Sequence, residues 1–462
     1  MGPRTVDSEM MSISKEDVDD EKNNGLMNDV TMSTQGGGRE NGTPRVLAAF
    51  VSDVDDGGAG IACGRIFTEL SRSPCDSSRW IVAQKRRKTQ ATNASIWPSF
   101  SSLMAFELKR RLLQGEGNII RAIQRFSEIN VGRIVRKANP RIVCLHNLHQ
   151  KMSFSLLAKL PRNIPITIYL HDMWYLTGYC CYNMGCDKYL TGCHGECPQW
   201  GKWEVPLYPT DKMFRVKQDF YLRNAHRIRI IAPSKWMAQC AESRFGGAIP
   251  VEIIGNPIDC ELYTPVGEKR LIKQMLGFDA DKPLILCGAV SMRDTRKGAR
   301  YIAESIKLLH ARLGGRFTVA LFGKPCPEIQ IPGAIWLGMV QGERLLNLYY
   351  NAASVFFLPS LAESFGMVYA EAMAAGTPCV AFDVTACGEL VKEGETGFLA
   401  GFLDVEELAN ALTRAIQAED GGVMAQTCRQ HVMDRYNCRK IARQHLDLIE
   451  TMVGAQKGEK ES

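Results

Sequence analysis

The chain has 462 residues, of which 45% are hydrophobic and 23% charged, and its formal net charge is +6. A single hydrophobic core stops growing at ~250–300 residues, so this length predicts two domains. The composition excludes a low-complexity chain, and no apolar run approaches the ~20 residues of a transmembrane helix.

Residues 1–43 are acidic and polar, with 9 acidic and 4 basic side chains and no hydrophobic periodicity. We predict that they form a disordered acidic tail. They lack the basic and then apolar pattern of a secretory leader, so we expect a cytoplasmic protein. The sixteen cysteines are mostly dispersed, which favours reduced thiols in such a compartment.

Residues 44–256 begin with a strand, a glycine-rich turn and a helix in PRVLAAFVSDVDDGGAGIACGRIFTEL. Gly58 lies in this turn, where backbone N–H groups can meet an anion. The third glycine position of the dinucleotide fingerprint is Cys63, so that fingerprint fails. Further apolar runs at 141–146, 166–171 and 228–234 predict strands. We interpret residues 44–256 as one Rossmann-like domain.

Positive charge is concentrated in residues 79–137, which carry 13 basic and 3 acidic side chains. A basic face predicts an anionic partner, namely lipid headgroups, a diphosphate or nucleic acid. The alternative is a solvated basic surface that has no partner.

The cysteine-rich segment TGYCCYNMGCDKYLTGCHGECPQW, residues 177–200, holds five cysteines in close succession. Four thiolates suit a closed tetrahedral zinc site, and His194 could replace one of them. Packed thiols or disulfides are the alternatives. The predicted ligands of a structural zinc are Cys180, Cys186, Cys193 and Cys197.

His171 follows the apolar strand ITIYL and should therefore emerge at the carboxyl end of a parallel strand, facing a cleft. Its imidazole suits a hydrogen bond to a reacting hydroxyl. The alternative is a histidine whose hydrogen bonds are satisfied structurally beneath a loop.

The second half repeats the alternation of apolar strands and helices, with strands expected at 283–290, 317–323, 334–338 and 354–360. This pattern predicts a parallel, doubly wound sheet over residues 257–430. A hinge is expected at 255–257, and residues 431–462 are predicted as a C-terminal helix that crosses back to the first domain. The fold class is therefore α/β, with two Rossmann-like domains facing each other across a cleft.

The stretch AESFGMVYAEAMAAGTPCV combines two glutamates, a glycine and a run of small residues. A helix starting near Phe365 would point the N–H groups of Phe365, Gly366 and Met367 at a bound anion. Glu371 would lie one turn into that helix and accept hydrogen bonds from a diol, while Glu363 would remain in the preceding loop.

Glu363 and Glu371, with seven residues between them in this frame, resemble the signature of the retaining glycosyltransferases of family 4, which have the GT-B fold. The resemblance extends over residues 45–450. The motifs that carry it are GGAG at 57–60, LHNLH at 145–149, HDMW at 171–174, GNPID at 255–259 and RKG at 296–298. The cysteine-rich segment is similar to an insertion in a bacterial branch of this family.

The resemblance implies a role for each matching residue. Glu371 would hold the ribose hydroxyls of a nucleotide sugar, and Glu363 would contact the sugar near its reacting carbon. Lys297 would neutralise the diphosphate together with an arginine. That arginine is usually five residues before the lysine, where this chain has Met292, so we assign it to the neighbouring Arg293.

Arg296 is the alternative to Arg293, and RDTRKG could also be merely a basic loop. The resemblance further implies that His171 lies near the donor sugar and the acceptor.

We therefore expect a retaining glycosyltransferase that needs no metal or other cofactor for catalysis. Its donor would be a nucleotide-diphosphate sugar, most simply a UDP-sugar, bound by the C-terminal domain of residues 257–430. Its acceptor would be a saccharide or a lipid-diphosphate-linked saccharide, bound by the N-terminal domain of residues 44–256. The product would serve surface or extracellular polysaccharide synthesis at the inner face of the cell membrane. We expect an anionic membrane surface and not nucleic acid as the partner of the basic region. A nucleotide-sugar epimerase and a non-catalytic nucleotide-sugar-binding module remain as alternatives.

Overall fold

The computed structural model describes residues 46–72, 78–85, 89, 91–93, 117–149, 152–194, 197–198, 210–418 and 422–461. The predicted acidic tail and part of the basic region, including residues 86–88 and 109–111, lie outside the described residues.

The first half of the chain forms a seven-stranded parallel sheet with the order β3-β2-β1-β4-β5-β6-β7. Its central strands are buried along their whole length, as expected of a sheet covered by helices on both faces. The strands are β1 Ala48–Val54, β2 Arg79–Gln84, β3 Thr92–Asn93, β4 Ile142–Leu145, β5 Ile166–Tyr169, β6 Ile228–Ala232 and β7 Val251–Ile253. The helices are α1 Gly57–Leu70, α2 Gly117–Ala138, α3 Lys188–Thr191, α4 Thr210–Asn224 and α5 Lys235–Phe245.

The second half forms a six-stranded parallel sheet with the order β10-β9-β8-β11-β12-β13. Its strands are β8 Leu284–Ser291, β9 Thr318–Lys324, β10 Ala334–Gly338, β11 Val355–Phe357, β12 Cys379–Phe382 and β13 Gly397–Ala400. The helices are α6 Lys269–Met275, α7 Ala299–Leu313, α8 Glu343–Ala352, α9 Met367–Ala374, α10 Cys387–Leu390, α11 Val405–Gln417, α12 Val423–Tyr436 and α13 Cys438–Glu461.

The strand order reverses at one place in each sheet. β1 lies between β2 and β4, and β8 lies between β9 and β11. In open parallel sheets ligands bind beyond the carboxyl ends of the strands at such a reversal. The predicted fold class, two Rossmann-like domains, is confirmed. Ligand-binding residues are expected directly after β1, β4, β5, β8 and β11.

The last helix returns to the first sheet. Residues of α13 and of the first sheet share one buried apolar cluster, which includes Phe50, Phe67, Trp80, Ile441, Ala442, Ile449 and Met452. The two connections between the halves run side by side, because Ile258 N–H donates to Tyr436 O at 2.7 Å and Cys438 N–H donates to Ile258 O at 3.1 Å. Residue 431 lies within α12, and the returning helix begins at Cys438.

No helix in the part of the chain described above combines the length and the apolarity that crossing a membrane requires.

Candidate functional site

Glu363 lies in the loop after β11 and is surrounded by hydrogen-bond donors. Lys297 Nζ donates to Glu363 Oε1 at 2.5 Å, and Ser360 Oγ donates to the same oxygen at 2.9 Å. Arg296 Nη1 lies 3.6 Å from the other carboxylate oxygen. Burial alone would raise the pKa of Glu363, but the charges of Lys297 and Arg296 outweigh it, so the pKa lies below its ordinary value. The carboxylate and two cations therefore form a preformed cluster.

A left-handed glycine shapes the turn that carries both cations. Arg296 and Lys297 belong to a short 3-10 turn that ends at Gly298, whose φ is +72°. A Cβ at this position would lie 2.0 Å from Pro359 O. The loop after β8 can therefore lie against the loop after β11 only with glycine here.

The structure separates the two candidate arginines. Arg296 Nη1 donates to Ala362 O at 2.8 Å, and its guanidinium lies 4.3 Å from the centre of the Tyr182 ring. Arg293 is exposed, and its Nε donates to Pro325 O at 3.1 Å. The geometry favours Arg296, the alternative that the sequence left open, as the arginine beside the predicted diphosphate position.

Glu371, in α9, shares one guanidinium with a second carboxylate. Arg65 Nη2 lies 3.3 Å from Glu371 Oε1 and 3.1 Å from Glu343 Oε1, and Arg65 Nη1 donates to Pro257 O at 3.1 Å. Burial raises the pKa of Glu371 to about 7, although Arg65 opposes the shift. One cation cannot fully compensate two carboxylates, so Glu371 is a hydrogen-bond acceptor whose charge is only partly balanced.

The loop that leads into α9 is more buried than the sequence indicated. Phe365 packs edge-on against Tyr436 with ring centres 4.9 Å apart and is 3% exposed. The helix begins at Met367 and not near Phe365, because Gly366 has φ +93°. A Cβ at Gly366 would lie 2.7 Å from the Tyr369 ring. Glycine is therefore required at position 366 by the packing of the protein itself. The contact predicted between an anion and the N–H groups of Phe365, Gly366 and Met367 stays a prediction.

Gly58 lies in the first turn of α1, directly beyond β1. A Cβ at Gly58 would meet no atom within 4 Å, so this part of the turn borders open space. Two residues later, a Cβ at Gly60 would lie 2.6 Å from Val54 O. Gly60 therefore fixes the close packing of helix on strand, while Gly58 leaves room for a ligand.

His171 belongs to a group of aromatic rings at the carboxyl ends of β4 and β5. Its Nε2 lies 2.8 Å from His146 Nδ1, and the ring centres of His171 and Tyr169 are 4.4 Å apart. His445 from α13 stacks on Tyr169 with ring centres 5.5 Å apart. Burial lowers the pKa of His171 to about 3, so the imidazole is neutral at physiological pH. It can serve as a hydrogen-bonding group and not as an imidazolium acid.

Direct hydrogen bonds join the two halves beside His171. Ser364 Oγ donates to His171 O at 2.6 Å, and Ser364 N–H donates to Tyr182 Oη at 3.3 Å. Glu389 accepts the first two N–H groups of α5, the second from Trp236 at 2.6 Å. His171 and Glu363, which are far apart in sequence, therefore lie on facing sides of one cleft.

A cavity of about 770 Å³ opens beside the Arg65 ion pairs. This volume is within the ~300–1,000 Å³ that is usual for small-molecule sites. Arg65 and Glu343 line the cavity. Because Arg65 also forms an ion pair with Glu371, the cavity lies next to the predicted ribose contact. Other charged residues that line it are Asp55, Glu69, Arg72, Lys85 and Asp259.

All four cysteines of the predicted zinc site line one small cavity of about 20 Å³. Their thiols match the donor preference of zinc. Among the described residues, however, no three of these sulfurs lie mutually within 4.8 Å. The set would have to contract to hold the ion, and the structural zinc stays a prediction.

Several residues of the cleft were not identified from the sequence. Arg65 gives no local signal, because its partners are 278 and 306 residues away. His146 lies in the LHNLH motif, so that motif could have indicated it. Tyr182 was hidden within the cysteine-rich segment, and His445 within an ordinary amphipathic helix.

Comparison with known families matches both halves of the chain. Residues 106–262 match the family described as "Glycosyltransferase Family 4", and residues 282–418 match the family described as "Glycosyl transferases group 1".

Two curated relatives share substantial segments. The first is the putative colanic acid biosynthesis glycosyl transferase WcaC of Escherichia coli (strain K12), which is 26% identical over 272 residues, 56% of this chain and 64% of the relative. The second is the UDP-Gal:alpha-D-GlcNAc-diphosphoundecaprenol alpha-1,3-galactosyltransferase of Escherichia coli, 23% identical over 240 residues, 46% of this chain and 57% of the relative. The chain thus spans less than two thirds of the length of each.

Among solved structures, Anabaena Alr3699/HepE in complex with UDP and glucose has a TM-score of 0.59 to this chain. The sequences are 17% identical, and the match covers 88% of this chain and 99% of that one. At this identity the likeness establishes the fold alone.

Proposed function

Because the chain belongs to the glycosyltransferases of family 4 and has their two-domain GT-B fold, we propose that it is a retaining enzyme that takes a sugar from a nucleotide-diphosphate sugar. We propose a UDP-sugar as donor and a saccharide or lipid-diphosphate-linked saccharide as acceptor, in surface or extracellular polysaccharide synthesis. The observation that carries the proposal is the pairing of the buried Glu363, which lies in the same loop-helix segment as the buried Glu371, with the partly buried Lys297 and Arg296.

Glu371 and the pair of Lys297 and Arg296 each match one part of the donor. The ribose hydroxyls would donate hydrogen bonds to Glu371, whose charge Arg65 only partly compensates. The diphosphate would meet Lys297 and Arg296, which pair with Glu363 when no donor is bound. The nucleoside would enter through the cavity beside Arg65, which is large enough to admit it.

The proposed reaction breaks the bond between the sugar carbon and the diphosphate oxygen, and the bonding electron pair leaves with the diphosphate. Lys297 and Arg296 offset the added negative charge, so no catalytic metal is required. The acceptor hydroxyl attacks the same face of the sugar and gives its proton to an oxygen of the departing diphosphate. Neutral His171 would hold the donor sugar or the acceptor by a hydrogen bond.

The test combines binding, turnover and stereochemistry. A donor that binds only the folded protein raises its melting temperature, so a thermal-shift screen of UDP-sugars should reveal the donor. With acceptor added, NMR of the product should show the anomeric configuration of the donor retained, and added Mg²⁺ or Mn²⁺ should not increase the rate. An inverted product, or a rate that requires added Mg²⁺ or Mn²⁺, would contradict the proposal.

Two alternatives give different results in the same assays. An epimerase would convert the nucleotide sugar without an added acceptor. A binding module would show the thermal shift without turnover. Glu371→Gln is a matched variant that should weaken the thermal shift, while Glu304→Gln, on the exposed face of α7, should leave it unchanged.

A further inference from the structure

His149, Asp172 and Cys181 bring three kinds of metal-binding atom to one point beside the cleft. His149 follows β4, Asp172 follows β5, and Cys181 lies in the cysteine-rich segment. His149 Nε2 lies 3.0 Å from Asp172 Oδ2 and 3.6 Å from Cys181 Sγ. The three atoms all lie within 4.8 Å of one another, and within the described ranges no other such group of three is found.

The distances match those of a tetrahedral zinc ion. Zinc binds thiolate sulfur at ~2.3 Å and imidazole nitrogen or carboxylate oxygen at ~2.0–2.2 Å. Tetrahedral angles then place nitrogen about 3.6 Å from sulfur and about 3.4 Å from oxygen. The observed separations of 3.6 and 3.0 Å therefore need a shift of only a few tenths of an ångström.

The arrangement argues against a cysteine nucleophile. In a Cys-His-Asp triad, the thiol contacts one ring nitrogen and the carboxylate contacts the other. Here Cys181 and Asp172 both approach Nε2 of His149. The imidazole cannot pass a proton between them, whereas three potential ligand atoms within 4.8 Å of one another suit a cation.

The surroundings hold two of the three side chains in place. Trp174 N–H donates to Asp172 Oδ1 at 2.8 Å, which leaves Oδ2 directed at His149. Such outer hydrogen bonds orient metal ligands. The His149 and Asp172 side chains are only 6% and 13% exposed. We propose that His149, Asp172 and Cys181 form a site for a zinc-class divalent cation, with water as the fourth ligand.

This site would tie the cysteine-rich segment to the ends of two strands. Cys181 is followed by Tyr182, which contacts Ser364 and Arg296 in the second half. The bound ion would hold Tyr182 in place and so support the cleft. The site shares no ligand with the four-cysteine set, and its occupancy does not depend on the proposed function.

The test measures how zinc protects individual cysteines. The full chain is stripped with a chelator under reducing conditions, loaded with Zn²⁺ or left empty, and treated with N-ethylmaleimide. Peptide mass spectrometry then follows the alkylation of each cysteine. Because a metal-bound thiolate is a poor nucleophile, zinc should slow the alkylation of Cys181 ~10-fold or more. Cys326, on the second half, should react equally in both samples.

Variants assign the protection to its ligands. His149→Gln should abolish the zinc protection of Cys181, and Asp172→Asn should weaken it. His310→Gln is the matched control, because His310 is partly exposed, lies in the second half, and makes one described hydrogen bond, to Pro332 O. Metal-free melting temperatures show whether each variant folds. If the His149→Gln variant does not fold, the assignment of the ligands rests on the Asp172→Asn variant.

Two results would overturn the proposal. One is equal reactivity of Cys181 with and without zinc, including the case in which only the four-cysteine set is protected. The other is unchanged protection of Cys181 in the folded His149→Gln or Asp172→Asn variant.

Discussion

Replacing Lys297 by methionine should both destabilise the fold and slow the reaction. The substitution removes the charge but keeps most of the apolar stem. Lys297 Nζ donates to Glu363 at 2.5 Å, and the two side chains are only 16% and 7% exposed. A hydrogen bond to a charged group contributes ~1.5–3 kcal/mol to stability, and the weak screening at this burial places the pair within that range.

The interaction is isolated by a double-mutant cycle of Lys297→Met, Glu363→Gln and both together. Free energies of unfolding from urea titration at pH 7 should give a coupling of ~1.5–3 kcal/mol. Arg300 and Glu304 form the control pair on the neighbouring helix, where both side chains are exposed. Their cycle, Arg300→Met with Glu304→Gln, should give no coupling beyond experimental scatter.

The pH dependence has a definite sign. The pKa of Glu363 is lowered in the folded protein, so its contribution is complete above the ordinary value of 4.5 and is lost as the pH falls through the folded value. The coupling should therefore persist at pH 5 and decline only at more acidic pH. A coupling at pH 7 no larger than that of the control pair would refute the reasoning.

Loss of the same lysine should lower kcat. If Lys297 offsets the charge of the departing diphosphate, the lost interaction of ~1.5–3 kcal/mol corresponds to a fall of about 10- to 150-fold. Unchanged kcat in a folded Lys297→Met variant would show that the lysine acts only on stability.

Four further results are expected. Glu371→Ala should chiefly raise the donor KM and Glu363→Ala should chiefly lower kcat, each ~10- to 150-fold; steady-state kinetics in which both variants lost only kcat would contradict this division. The affinity for a UDP-sugar, measured by calorimetry, should rise between pH 6 and 8. Burial raises the pKa of Glu371 to about 7, and ribose hydroxyls prefer the ionised carboxylate. The Glu371→Gln variant should show a flat dependence of affinity on pH. Elemental analysis of a metal-replete Cys181→Ser variant should still find near-stoichiometric zinc if the four-cysteine set is a metal site, and no zinc would dismiss that set. Co-sedimentation with vesicles should increase with anionic lipid and decrease with salt if residues 79–137 bind the membrane, and insensitivity to both would reject the membrane contact.

The elements that local sequence could reveal were predicted well. The apolar runs at 283–290 and 317–323 correspond to β8 and β9, since strands of a covered parallel sheet must be apolar on both faces. Glu363 and Glu371 could be singled out because both belong to one strand-loop-helix unit. The relative position of the two carboxylates is therefore determined within a single short segment.

What the sequence could not show depends on contacts between distant elements. Arg65 reaches Glu371 only after α1 is placed against the second half, and His445 reaches Tyr169 only after α13 returns to the first sheet. The difference in burial between Arg293 and Arg296 likewise depends on the turn that ends at Gly298. The start of α9 was misplaced because a glycine at φ +93° stops the helix from extending back to Phe365.

The return of α13 to the first sheet has a consequence for biosynthesis. Phe50, Phe67 and Trp80 are synthesised before the whole second half of the chain, whereas Ile441 and Ile449 of the helix that packs on this cluster are synthesised after it. In the interval part of the apolar surface of α1 and the first sheet stays uncovered, and such a surface is the kind that chaperones bind and that promotes aggregation. A ribosome that stalls within the second half would hold a chain whose early domain is still incomplete, however long it had been outside the exit tunnel.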